Sequence, residues 1–188
     1  MTDHDELVSQ VRALAVQQSS PLPPCVDSVA VAEAERLLGF GLPALLVRMY
    51  AEVANGGFGP DYKLFPLVGE GRTVVSEYGA HWPVQQEEAQ ESAPHWPRGV
   101  LPILDWGCGM YAAVDCLRPQ APVLLFEPNA YMGDWADTWF QDAPSLFEWF
   151  RAWVNGTGWW EEEVMGSGDA VDPFPWPEAV ERIGAQDG

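Results

Sequence analysis

The sequence predicts an α+β fold in which N-terminal helices pack on a mainly antiparallel sheet and a C-terminal helix closes the domain. Three observations predict it. Residues 33–57 spell helix, stop, helix, stop; residues 100–127 carry three short apolar runs separated by turn residues; residues 142–156 carry an amphipathic helix with its own start and stop signals.

In chain order, Leu7, Val11 and Leu14 share one side of a helix over 5–17, with Asp3 and Glu6 spaced as a capping box. Ser20-Pro21-Leu22-Pro23-Pro24 forbids its continuation, so residues 1–24 read as a leader helix and a stiff linker. Next comes Glu33-Ala34-Glu35-Arg36-Leu37-Leu38, which Gly39 ends in a left-handed residue; Pro43 then sits where a helix start wastes no backbone donor. Leu42, Leu45, Leu46, Met49, Tyr50 and Val53 recur at spacings of three and four, predicting a helix over 43–54 with one apolar stripe. Asn55-Gly56-Gly57 supplies residues tolerant of positive φ and stops it.

Tyr62 to Val68 reads as a strand, its Pro66 pointing to an edge or an end. Residues 70–98 are mixed and polar, with His81-Trp82-Pro83 and His95-Trp96-Pro97 flanking a short helix over Gln85 to Glu91. Val100–Asp105, Met110–Cys116 and Pro122–Glu127 then form an antiparallel meander, the first two joined by a tight Gly107-Cys108-Gly109 turn. Trp135 to Phe140 adds a strand. Asp142 caps a helix with Pro144 in its first turn and Leu146, Trp149, Phe150 and Trp153 on its buried face. Asn155-Gly156-Thr157 matches a glycosylation sequon but reads better as that helix's C-cap. Residues 25–158 thus form the domain, and 159–188 an acidic Trp- and Pro-containing tail able to pack on it.

The 188 residues suit one domain, and 47% apolar with 12% aromatic residues is a globular composition. Ten Trp residues are an excess; roughly two thirds are expected to be structural. Twenty-eight acidic against nine basic residues give a net charge of −19, which disfavours nucleic acid and anionic membranes and favours a basic partner. The N-terminus has no basic n-region, and no apolar run is long enough to cross a bilayer, so a cytoplasmic protein is expected. Cys25, Cys108 and Cys116, an odd number at no disulfide or zinc spacing, fit a reducing compartment.

Three stretches together resemble the SUKH superfamily, the domain shared by a fungal cell-wall-synthesis regulator and many bacterial immunity proteins of polymorphic toxin systems. The first is acidic residue, apolar pair, Gly39, Leu42-Pro43, apolar helix, Tyr50, Asn55-Gly56-Gly57. The second is Leu101-Pro102-Ile103-Leu104 before Gly107-Cys108-Gly109, then Ala113-Val114-Asp115 and Pro122-Val123-Leu124-Leu125. The third is Ala143-Pro144-Ser145-Leu146-Phe147-Glu148-Trp149-Phe150. The resemblance spans residues 28–156 and implies that Gly39, Leu42, Pro43, Tyr50, Asn55, Gly56, Gly57, Gly107, Gly109 and Asp115 belong to the framework of the fold. It is silent on the leader, residues 70–98 and the tail.

Four constellations suggest chemistry. Asp105-Trp106-Gly107-Cys108-Gly109 resembles the cofactor loop of S-adenosylmethionine-dependent methyltransferases, but the proline-broken stretch from Met110 to Pro122 leaves no room for a crossover helix. His81, His95, Glu87, Glu88 and Glu91 lack metal-ligand spacing, and loop histidines beside structural Trp residues are the better account. Cys108 sits in a glycine turn with no identifiable base. Asp115 reads as a solvent-facing strand residue rather than a ligand at the edge of a groove. Catalytic, cofactor and metal sites are therefore expected to be absent. For partner binding the candidates are Trp159, Trp160, Glu161, Glu162 and Glu163, aromatic anchors beside steering charge; the plainer account has the Trp pair covering the closing helix. The expected function is a non-catalytic protein-binding domain, an immunity protein against a basic, nuclease-type toxin. A regulatory or scaffold module binding an endogenous protein is the alternative, and a methyltransferase the remote one.

Overall fold

A computed structural model describes residues 3–82, 96–161 and 173–184. Its elements in order are α1 (Asp3–Gln18), α2 (Ser28–Leu38), α3 (Ala44–Arg48), α4 (Val74–His81), β1 (Val100–Gly107), β2 (Met110–Asp115), β3 (Val123–Phe126), β4 (Trp139–Ala143), α5 (Leu146–Asn155), β5 (Phe174–Pro175) and α6 (Ala179–Gly184). The five strands form one antiparallel sheet in sequence order, β1-β2-β3-β4-β5, with helices before it and α5 after β4. The α+β architecture expected from the sequence is the one found.

The helix stops are where the sequence puts them. Gly39 and Gly156 are left-handed caps of α2 and α5. Pro43 is the N-cap of α3, and the helix beyond it widens into a π-helical turn, Met49–Val53. Leu46, Met49, Tyr50 and Val53 are all buried. The elements packed most extensively on this helix are α1, which lies on the π turn, and α5, rather than the sheet. Between α2 and α3 the Glu35 carboxylate accepts the Leu42 backbone N–H at 2.8 Å, tying the loop that the glycine opens.

Gly107 pairs with Met110, so Cys108 (φ 54°) and Gly109 (φ 82°) are the two central residues of a tight hairpin turn with positive φ at both. Ile103 is an extra residue in β1, between Pro102 paired with Ala113 and Leu104 paired with Ala112. Its carbonyl is thereby free to accept the Phe65 N–H at 2.9 Å.

Three expectations change. Residues 62–68 are not a strand, because their hydrogen bonds go elsewhere: Leu64 donates to the Phe58 carbonyl, and the Asn55 side chain takes up Leu67 N–H and Val68 C=O. Residues 135–138 form a 3₁₀ turn, capped by the Asp134 carboxylate on Ala136 N–H, so the fourth strand starts only at Trp139. Asp142 does not cap α5; it lies in β4, and Ser145 caps the helix by accepting the Glu148 N–H. The helix expected over Gln85 to Glu91 and the second His-Trp-Pro histidine, His95, lie outside the described residues.

Candidate protein-binding surface

Seven of the ten Trp side chains are buried and the other three, Trp82, Trp135 and Trp159, are half-buried. Trp160 stacks against Trp106 of β1 and packs on Trp149 of α5, with ring centroids 5.4 Å away in each case. Its ring also lies over Gly158, where a Cβ would come within 2.2 Å of it. Trp159 donates its indole N–H to Asp142 Oδ1 at 3.0 Å, and Trp149 donates to Asp142 Oδ2 at 2.9 Å. One carboxylate therefore clasps β4, α5 and the start of the tail. Burial pushes its carboxyl up to about 7, against the opposing pull of the two indole donors. Glu161 accepts the Trp160 indole N–H at 3.1 Å. Among the described residues of the sequence-nominated stretch Trp160 is buried and Trp159 and Glu161 are half-buried; Glu162 and Glu163 lie outside the described residues.

The framework residues form a different structure. Asn55 holds both Leu67 N–H and Val68 C=O at 2.8 Å, and Tyr50 OH donates to the Phe65 carbonyl at 3.0 Å. A Cβ on Gly56 would meet the Phe65–Pro66 peptide at 2.6 Å, so this backbone approach requires glycine. Helix α3 is thus riveted to the 64–68 loop, and that loop to β1. Beside it, Arg72 donates to Glu77 at 2.8 Å, Asp105 at 2.7 Å and Tyr111 OH at 3.1 Å, and lies 4.9 Å from the centre of the Phe65 ring. Two carboxylates neutralise this half-exposed guanidinium, so it is a surface strut rather than an anion site.

Asp115 is not solvent-facing. It is fully buried, accepts Arg182 at 2.6 Å and the Leu117 N–H at 3.1 Å, and so fastens α6 to the end of β2. Arg182 also donates to the Arg98 carbonyl at 2.8 Å. The sequence contains both residues, but nothing local links positions 115 and 182.

Cys108 is exposed at the hairpin tip, Cys25 is exposed, and Cys116 is half-buried, its thiol pushed up by burial and by Asp115. The His81 ring stacks on Trp96 at 4.3 Å, and burial lowers its pKa. Among the described residues no three His, Cys, Asp or Glu side chains are grouped to hold a metal. The glycine turn after β1 closes an antiparallel hairpin and opens no helix, so it is not a methyltransferase-type cofactor loop.

Residues 127–138, between β3 and β4, form an apolar projection that sequence reasoning missed. Met132 is 87% exposed and Tyr131 45% exposed, and the Tyr131 ring lies 4.5 Å from that of Trp135. Glu127, half-buried, and Asp134 and Asp137, both exposed, lie in the same loop. Isolated apolar residues in a Pro-Asn-Gly loop carry no periodicity; the usable signal was a run, 119–150, with five carboxylates and no Lys or Arg.

Fold and framework define an α+β domain in which a short helix, through Asn-Gly-Gly, is locked to the outer edge of an antiparallel meander. A sequence profile of the SMI1/KNR4 family (SUKH-1) matches residues 25–152, and the chain belongs to that family. A search of curated proteins returned no match. No helix among the described residues is long and apolar enough to cross a membrane.

Proposed function

We propose that the chain is a cytoplasmic immunity-type domain that binds and sequesters a basic, nuclease-type toxin domain, using no cofactor and carrying out no catalysis. Family membership supports the domain type, and the charge distribution supports the partner. The net charge is −19, and six of the nine cationic side chains, Arg36, Arg48, Arg72, Arg118, Arg151 and Arg182, form internal ion pairs. Each of these pairs cancels a carboxylate, and the excess of acidic residues sets the field outside, which attracts a basic protein and repels phosphates. That field carries the reading.

The test is binding to a panel of catalytically inactivated basic nuclease toxin domains, followed kinetically across a salt series. Long-range attraction speeds encounter by roughly 10- to 1,000-fold and is screened over about 8 Å at physiological ionic strength. Association should therefore slow as sodium chloride rises, with dissociation changing less. An absent complex, or an association rate indifferent to salt, overturns the proposal.

A further inference from the structure

We infer that the 127–138 projection is the surface that receives the basic partner, an inference that rests on the binding function proposed above. A lone exposed apolar side chain is ordinary, but contiguous ones mark interaction sites; Met132 stands 87% exposed next to Tyr131, itself 45% exposed and packed on Trp135. Unbranched Met and broad aromatic faces are the side chains that adapt to and anchor a protein partner. The chain around them is of one sign: Glu127, Asp134 and Asp137 lie in the same loop, and no Lys or Arg occurs between Arg118 and Arg151.

Among the described residues Glu127, Asp134 and Asp137 form no ion pair. Glu127 and Asp134 accept backbone N–H groups of Asn129 and Ala136, which orients them without neutralising their charge. Helix α6 packs on the 135–138 turn; it carries exposed Val180 and Glu181, and its one cation, Arg182, is paired with buried Asp115. The chemistry that fits is a protein surface presenting Lys or Arg. The cation would lie over the Tyr131 and Trp135 faces, with its charge met by the ring of carboxylates. The loop is held from both sides by β3, β4 and α6, so its shape is set before a partner arrives.

The experiment measures association and dissociation of the intact protein with a panel of inactivated basic nuclease toxin domains, including the product of the adjacent gene. Variants are Met132→Lys and Asp137→Lys, with Glu70→Lys as a charge-matched control on the β1 side and Glu161→Lys in the tail. Met132 and Asp137 are exposed, and no side-chain bond of either is broken. Expected is a ten-fold or greater loss of affinity for Met132→Lys and Asp137→Lys, and less than three-fold for Glu70→Lys. Binding by the wild type with equal effects at positions 70, 132 and 137, or with the largest loss at Glu161→Lys, removes this surface and leaves the function standing. A wild type that binds no member of the panel overturns both.

Discussion

At the scale of the residue, Asp142 bears two opposed forces. Burial raises its carboxyl pKa to about 7 from 3.8, while two indole N–H donors favour the charged form. A proton held more tightly folded than unfolded adds stability that is complete below the unfolded value and is lost as pH rises through the folded one. Stability should thus fall between about pH 4 and pH 7 by an amount of order a few kcal/mol. Asp142→Asn, which cannot titrate, should flatten that slope in urea-unfolding curves taken across pH; an unchanged slope would assign the dependence elsewhere. Gly56 makes a steric prediction. Because a Cβ would strike the Phe65–Pro66 peptide at 2.6 Å, Gly56→Ala should cost about 2–4 kcal/mol, against roughly 1 kcal/mol for positive φ alone.

At the scale of the element, the helix after Pro43 was legible because its apolar spacing is local, and so were β1, β2 and β3, whose runs end at turn residues. What the sequence hid is non-local. Residues 62–68 have the composition of a strand, but Asn55, twelve residues before Leu67, holds the hydrogen bonds that a ladder would have used. Trp135–Thr138 is apolar enough to be mistaken for β4, and only the Asp134 cap reveals a turn. The projecting Tyr131 and Met132 belong to no pattern at all, whereas Trp159 and Trp160, conspicuous in sequence, are largely spent on Asp142, Trp106 and Trp149. Leu46, completely buried on α3, tests the helix: Leu46→Ala should lower stability by about 2–5 kcal/mol through lost burial and a cavity. A calorimetric transition left unmoved would mean that this face does not pack as described.

At the scale of the whole molecule, the family match ends at residue 152, but the structure continues through α6. Arg182 reaches Asp115 in the sheet, and Arg118 pairs with Glu178. Arg182→Ala leaves a fully buried carboxylate without its cation, and removing one partner of such a pair costs about 3–5 kcal/mol. The loss should appear first as faster proteolysis and amide exchange across residues 173–184, since the helix can detach before the sheet opens. Just ahead of those anchors lies β5, two residues that pair with Phe140 and Gln141 while Trp176 N–H donates to the Trp139 carbonyl at 2.9 Å. So small a strand adds little cohesion, but it occupies the outermost rung of the ladder. A chain cut ahead of residue 173 and stripped of residues 173–184 would bare the β4 edge at Phe140 and Gln141 and leave a template for strand addition. Clipped copies should join edge to edge despite their shared negative charge, most readily at high salt where repulsion is screened. Residues 173–184 would then act as a stopper against polymerisation.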